Sequence, residues 1–133
     1  MKKTLAILLA GTMLSLLTAS GPALAHQRTA STSLSISVSD SSPDRGDVVR
    51  FSGRLQSNWD RCEEDQRVHL KRGRTIVQTT RTDDSGFYSF RQRINGNSNW
   101  KVRFTGKRFG VHPHVHRCLP DTSRKIRIRF GDD

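Results

Sequence analysis

"VVRFSGRL" (residues 48–55) carries the pattern on which the fold is read. Val49, Phe51 and Leu55 share one parity with Gly53, while Arg50, Ser52 and Arg54 share the other. A period of two is that of a half-buried β-strand. The same period recurs on both sides of this stretch. "LSISV" (34–38) alternates apolar residues with serine, and "SPDRGD" turns the chain toward Val48. Downstream, "RVHLK" (67–71) points Val68 and Leu70 inward, and Arg72–Gly73 turn into a weaker strand over 75–81. "DDSG" (83–86) is a turn before "FYSFRQRI", where Tyr88, Phe90 and Ile94 share a face. "NGNSN" breaks the chain again, and "WKVRF" (100–104) and "KIRIRF" (125–130) alternate throughout.

These segments predict an all-β domain of seven strands, with no helical periodicity and with turns at the spacing of an antiparallel sandwich. No internal repeat divides the chain. The expected organisation is a signal peptide over 1–25, a flexible tail over 26–33 and one sandwich domain over 34–131.

The successive stretches "VVRFSGRL", "RVHLKRG", "TTRTDDSGFYSF", "NWKVRFTG" and "SRKIRIRF" resemble the immunoglobulin-like or transthyretin-like (carboxypeptidase regulatory-like) sandwich modules of bacterial secreted and surface proteins. Shared features are a V-x-F-x-G strand, a T-D-x-x-G-x-Y-x-F turn and strand, and a W-x-V-x-F-x-G strand. The resemblance covers about the last hundred residues. It implies a seven-stranded immunoglobulin-like (prealbumin-like) sandwich and leaves function open, because such modules serve as spacers, adhesins, carbohydrate binders and enzyme accessories. This chain departs from them in its arginine load and in a long insert over 107–122.

Lys2 and Lys3, an apolar run over 5–17 and the small residues of "ALA" (23–25) form a signal-peptide pattern. The run is too short for a membrane span. Cleavage after Ala25 leaves 108 residues beginning at His26, enough for one domain with a modest core. No cysteine follows the run to take a lipid. "LPDTS" (119–123) is similar to a cell-wall sorting motif, but Ser123 stands where glycine is required. The expectation is a secreted, extracellular protein.

The chain carries 23 basic and 12 acidic side chains, a formal charge of +11 with histidine neutral. A field of one sign attracts polyanions and keeps copies apart, although a solvated surface alone explains it equally well. Strand parity gives the charge a location. With Val68, Leu70, Trp100, Val102, Phe104, Ile126, Ile128 and Phe130 turned inward, their neighbours face out: Arg67, His69, Lys71, Lys101, Arg103, Lys125, Arg127 and Arg129. In an immunoglobulin arrangement these strands share one sheet and make a continuous cationic face. The expected partner is an extracellular polyanion, such as teichoic acid, acidic polysaccharide or released nucleic acid, or else an acidic protein or cell-envelope surface.

Cys62 and Cys118 are the only cysteines, and an exported chain with two usually joins them. Closing so long a loop stabilises a domain by roughly 4 kcal/mol in the chain-entropy model. The alternative is a reduced His116-x-Cys118 ligand pair. In the implied fold both cysteines lie in loops at one end. Asp60, Glu63, Glu64 and Asp65 then stand near His112, His114, His116 and Arg117, as an exposed ionic cluster of small energetic value or as part of a metal site. If 111–116 is extended, the three imidazoles project from one side about 7 Å apart and suit copper or zinc. A mature N-terminal His26 adds a chelating amine and imidazole. That placement is similar to the N-terminal histidine of lytic polysaccharide monooxygenases and some periplasmic copper carriers, and the likeness extends no further.

No G-x-S-x-G elbow, HExxH or phosphate-cradling glycine loop occurs. Asp83 and Asp84 read as turn-capping residues rather than paired catalytic carboxylates. Trp100 reads as core, which leaves Trp59 as the candidate sugar platform. The expectation is a non-enzymatic binding module without a cofactor, and the alternative is a copper or zinc protein using His26 and residues 112–116.

Overall fold

The computed structural model describes residues 27–131; the expected signal peptide, its cleavage point and His26 lie outside the described residues. Twelve strands are present among them: β1 (Arg28–Ala30), β2 (Thr32–Leu34), β3 (Ser37–Val38), β4 (Val48–Ser57), β5 (Arg67–Arg72), β6 (Thr75–Arg81), β7 (Phe87–Arg93), β8 (Ser98–Phe104), β9 (Lys107–Val111), β10 (His114–Cys118), β11 (Asp121–Thr122) and β12 (Ile126–Ile128). A 3-10 turn spans Asp60–Cys62. No helix among the described residues is long and apolar enough to cross a membrane.

One sheet is centred on β4, which pairs antiparallel with β7 on one side and with β2 and β3 in succession on the other. A second runs β11–β8–β5–β6, with β12 joining β8 beside β11. The two close on one hydrophobic cluster, in which Phe51 of β4 meets Trp100 of β8 at a ring-centroid distance of 5.1 Å. The fold is therefore all-β and sandwich-like, and the inward parity holds: Val49, Phe51, Leu55, Val68, Leu70, Trp100, Val102, Phe104, Ile126 and Ile128 are all buried.

The strand count corrects the expected seven to twelve. Two of the additional breaks are made by serine hydroxyls that take the place of ladder carbonyls. Between β2 and β3, the Arg54 amide donates to Ser35 Oγ (2.9 Å). Between β11 and β12, the Val102 amide donates to buried Ser123 Oγ (2.9 Å). A hydroxyl that satisfies the neighbouring strand lets the chain leave the ladder without orphaning an amide. Between β11 and β12 the register slips by one residue, a β-bulge, whereas from β2 to β3 it runs on unbroken.

The remaining additions form a small third sheet, β1–β10–β9, with β1 parallel to β10. The stretch read as a tail thus contains β1 and the first two residues of β2, and the 107–122 insert contains the β9–β10 hairpin. Side chains also tie the sheet edges together. Gln78 Nε2 of β6 donates to the Arg91 carbonyl of β7 (2.6 Å), and the Leu34 amide of β2 donates to Asp121 Oδ2 of β11 (2.8 Å).

Candidate functional site

The second sheet turns a row of cations to solvent because its partners in the alternation are all core. On β5, Arg67 is exposed and His69 and Lys71 are half-buried; on β8, Lys101 and Arg103 are half-buried; Lys125, Arg127 and Arg129 around β12 are exposed. The register sets Lys71 directly opposite Lys101, His69 opposite Arg103, and Arg127 opposite Asn99. Two unit charges about 5 Å apart in a water-like dielectric repel by roughly 0.8 kcal/mol, so the Lys71–Lys101 pair opposes folding slightly.

Few of these charges are neutralised. The side chains of Arg67, Lys71, Lys101, Lys125, Arg127 and Arg129 make no hydrogen bond or ion pair among the described residues, whereas Arg103 donates to Thr122 Oγ1 (2.8 Å). The described acidic residues lie in the 40–47 turn, the 60–65 loop, at 83–84 and at Asp121, none of them on β5, β6, β8 or β12. His69 Nδ1 shares a hydrogen bond with Thr79 Oγ1 of β6 (2.8 Å). Its burial, and then the charges of Arg67 and Lys71, lower the imidazole pKa from its ordinary value.

The cationic character is not confined to the residues that parity singled out in β5, β8 and β12. Arg50 and Arg91 stand opposite one another on the outer face of the first sheet, and both are exposed. Their neighbours Arg54 and Arg93 are engaged, donating to the carbonyls of Ser85 (2.8 Å) and Gly46 (2.5 Å). Arg74, in the β5–β6 turn, borders Lys101 and Lys125 in a recess. The alternation of 48–55 already placed Arg50 outward; Arg74 sits in a turn, where parity carries no information.

At the loop end, Cys62 and Cys118 form a disulfide with a Cα–Cα distance of 5.6 Å, and both residues are buried. A paired Cys118 is not available as a ligand, which removes the reduced His116-x-Cys118 reading. Residues 111–116 are not one extended strand. Val111 ends β9, His112–Pro113 make the turn through a cis peptide bond, and His114 and His116 lie on β10. The three imidazoles therefore do not project from one regular strand, because the chain reverses between the first and the second. His116 packs on Trp59 with ring centroids 5.1 Å apart, and Trp59 also meets Phe109 edge-on at 5.4 Å. No group of three or more His, Cys, Asp or Glu side chains is arranged to hold a metal ion among the described residues.

The expected acid–base cluster between the two loops takes a different form. Asp65 pairs with Arg81 of β6 (3.5 Å), Glu63 Oε1 accepts from the Ser57 amide (2.8 Å), and Arg61 and Lys107 lie over the Phe109 ring. Trp59 is packed between Phe109 and His116 rather than presented as an open platform. Asp83 Oδ1 accepts from the amides of Ser85 and Phe87, both at 2.9 Å, the capping role its turn position predicts.

Compared with family models, curated proteins and solved structures, the chain matches none of them.

Proposed function

We propose that the chain is a secreted, non-enzymatic binding module with an immunoglobulin-like sandwich, which engages an extracellular or cell-envelope polyanion, or an acidic partner, through the outer face of the β5–β8–β12 sheet. In that arrangement β2 and β3 together are strand A, β4 is B, β7 is E, and β6, β5, β8 and β11–β12 are C′, C, F and G. The observation that carries the functional reading is the set of unneutralised cations on one sheet, whose single carboxylate, Asp121 of β11, is engaged by the Leu34 amide of the other sheet. A folded domain tolerates such repulsion through solvent screening, or relieves it with a ligand. A buried disulfide suits an oxidising compartment, which supports export. Binding of this type weakens steeply with salt as counterions are recaptured, and few exposed aromatics accompany the cations, so base stacking has no part in it.

The test is retention of the protein on an anionic matrix over a salt gradient. Replacing Arg103, Arg127 and Arg129 together by glutamine should lower the eluting salt far more than replacing Arg28, Arg50 and Arg91, which lie on β1, β4 and β7. Equal losses from the two triple variants would reduce the effect to bulk charge.

A second reading is a copper or zinc site formed by His26 with His112, His114 and His116. Two observations favour it: β1 pairs in parallel with β10 so that Arg28 stands opposite His116, and His116 Nδ1 is buried without a hydrogen-bond partner. Copper titration of a chain beginning at His26 should then differ from that of a chain with one extra N-terminal residue. Equal affinities would remove the N-terminal arrangement.

A further inference from the structure

Beyond the broad face, one recess gathers cations from three separate elements. It has a volume of about 190 Å³ and is lined by Gly73, Arg74, Asn99, Trp100, Lys101 and Lys125. Arg74 comes from the β5–β6 turn, Lys101 from β8, and Lys125 from the residue before β12. The turn is anchored: Gly73 adopts a left-handed conformation with φ +59°, and its amide donates to the Asn99 carbonyl of β8 (2.9 Å). That bond holds Arg74 beside strand β8 before any ligand arrives. Arg74, Lys101, Lys125 and the Asn99 side-chain amide make no side-chain hydrogen bond or ion pair among the described residues, and no carboxylate lines the recess.

We infer that this recess is a discrete subsite for a tetrahedral dianion, a phosphate group either free or borne as a monoester on a larger ligand. The stoichiometry of charge favours it. Three full positive charges around so small a volume are over-matched to one carboxylate, and a phosphate offers both a second charge and oxygens directed at several donors at once. Arg74 supplies a planar fork for two of those oxygens, the two lysines act as point charges, and the Asn99 amide supplies a neutral donor. The inference deepens the polyanion reading and rests on it for its biological setting, while the recess itself is measurable on its own.

The experiment is a titration of the ¹⁵N-labelled protein at constant ionic strength with inorganic phosphate, sulfate, glycerol 1-phosphate and acetate. Saturable shifts in the amides of Gly73, Arg74, Lys101 and Lys125 are expected with phosphate and sulfate, and weaker or no shifts with acetate. A response to glycerol 1-phosphate equal to or stronger than that to inorganic phosphate marks a monoester site, and a weaker one marks a site for the free ion. Arg74→Gln should weaken phosphate binding at least about tenfold, the effect of losing even one of the fork's two hydrogen bonds to a charged group. Arg108→Gln, which removes the same charge from exposed β9, should leave it unchanged. Equal responses to acetate and phosphate, or equal losses from Arg74→Gln and Arg108→Gln, would overturn the subsite. A saturable site that survives alongside equal retention losses from the two triple variants leaves the recess standing and removes the face.

Discussion

Gly53 of β4 lies directly beneath the Ser35 carbonyl, where the chain leaves the β4 ladder between β2 and β3. A Cβ added at Gly53 would meet the Ser35 oxygen, and the Tyr88 hydroxyl beside it, closer than the 3.0 Å that real Cβ atoms respect. Glycine is required here by that close approach. Gly53→Ala should destabilise the fold by about 1–3 kcal/mol, the usual range for overpacking, read as a lower urea midpoint. An unchanged midpoint would mean that the segment around Ser35 moves away freely.

The Tyr88 hydroxyl donates to the same Ser35 carbonyl, and the Tyr88 side chain is buried. Tyr88→Phe should therefore cost about 1–2 kcal/mol, because the carbonyl is left without this donor. Burial raises the phenol's pKa above its ordinary value of 10.0. The unfolded chain therefore loses its proton first as pH rises past 10, and native stability falls from there upward. Tyr88→Phe should flatten this alkaline decline in a series of denaturant midpoints; an unaltered slope would place it on other groups.

His69 works in the opposite pH range. Its native pKa lies below the ordinary 6.5, so on acidification the unfolded chain takes up this proton before the native one does. Its contribution to stability is whole above 6.5 and declines as pH falls toward the native pKa. His69→Gln should remove that part of the acid loss. A polyanion laid over Arg67 and Lys71 offsets the charges that disfavour protonation, so an NMR titration of the His69 ring with added dextran sulfate should show its pKa rising. A titration unmoved by the polymer would take Arg67 and Lys71 out of the binding face.

The core strands were legible in the sequence because burial enforces parity: every second residue from Trp100 to Phe104, and Ile126 with Ile128, had to face inward, and the cations between them had to face out. Where hydroxyls stand in for backbone carbonyls the pattern misleads. Ser35 and Ser123 read as ordinary polar residues, yet each accepts a ladder amide and breaks its strand. β1 is carried by backbone pairing and by buried Ala30 rather than by alternation, so a polar reading of 26–33 missed it. The β9–β10 hairpin was hidden for a related reason, since Phe109 and Val115 are too sparse among cations and histidines to show a period. Arg74 reaches the candidate recess through a turn anchored to β8, a long-range contact that local patterning cannot reveal.

The disulfide has the largest expected effect, and its position explains why. Cys62 sits in the 3-10 turn, Cys118 ends β10, and Ala30 of β1 is registered beside Cys118. One bond therefore ties the 60–65 loop to the third sheet, which also reaches the body through buried Ala30, the contacts of Trp59 and Arg61 with its rings, and hydrogen bonds such as that from Thr32 Oγ1 to the Leu119 carbonyl (2.7 Å). Mass measurement after alkylation without reductant should find no free thiol. Replacing both cysteines by alanine should remove roughly 4 kcal/mol on the chain-entropy account, a large share of the 5–15 kcal/mol typical of a domain. The loss should be local first. Amides of β9 and β10 should exchange with solvent well before those of β4, β5 and β8, which are fastened by the common core. Retention on an anionic matrix should persist below the lowered melting temperature, because β5, β8 and β12 do not depend on the hairpin for their register. Uniformly accelerated exchange across all strands would show instead that the bond holds the two main sheets together.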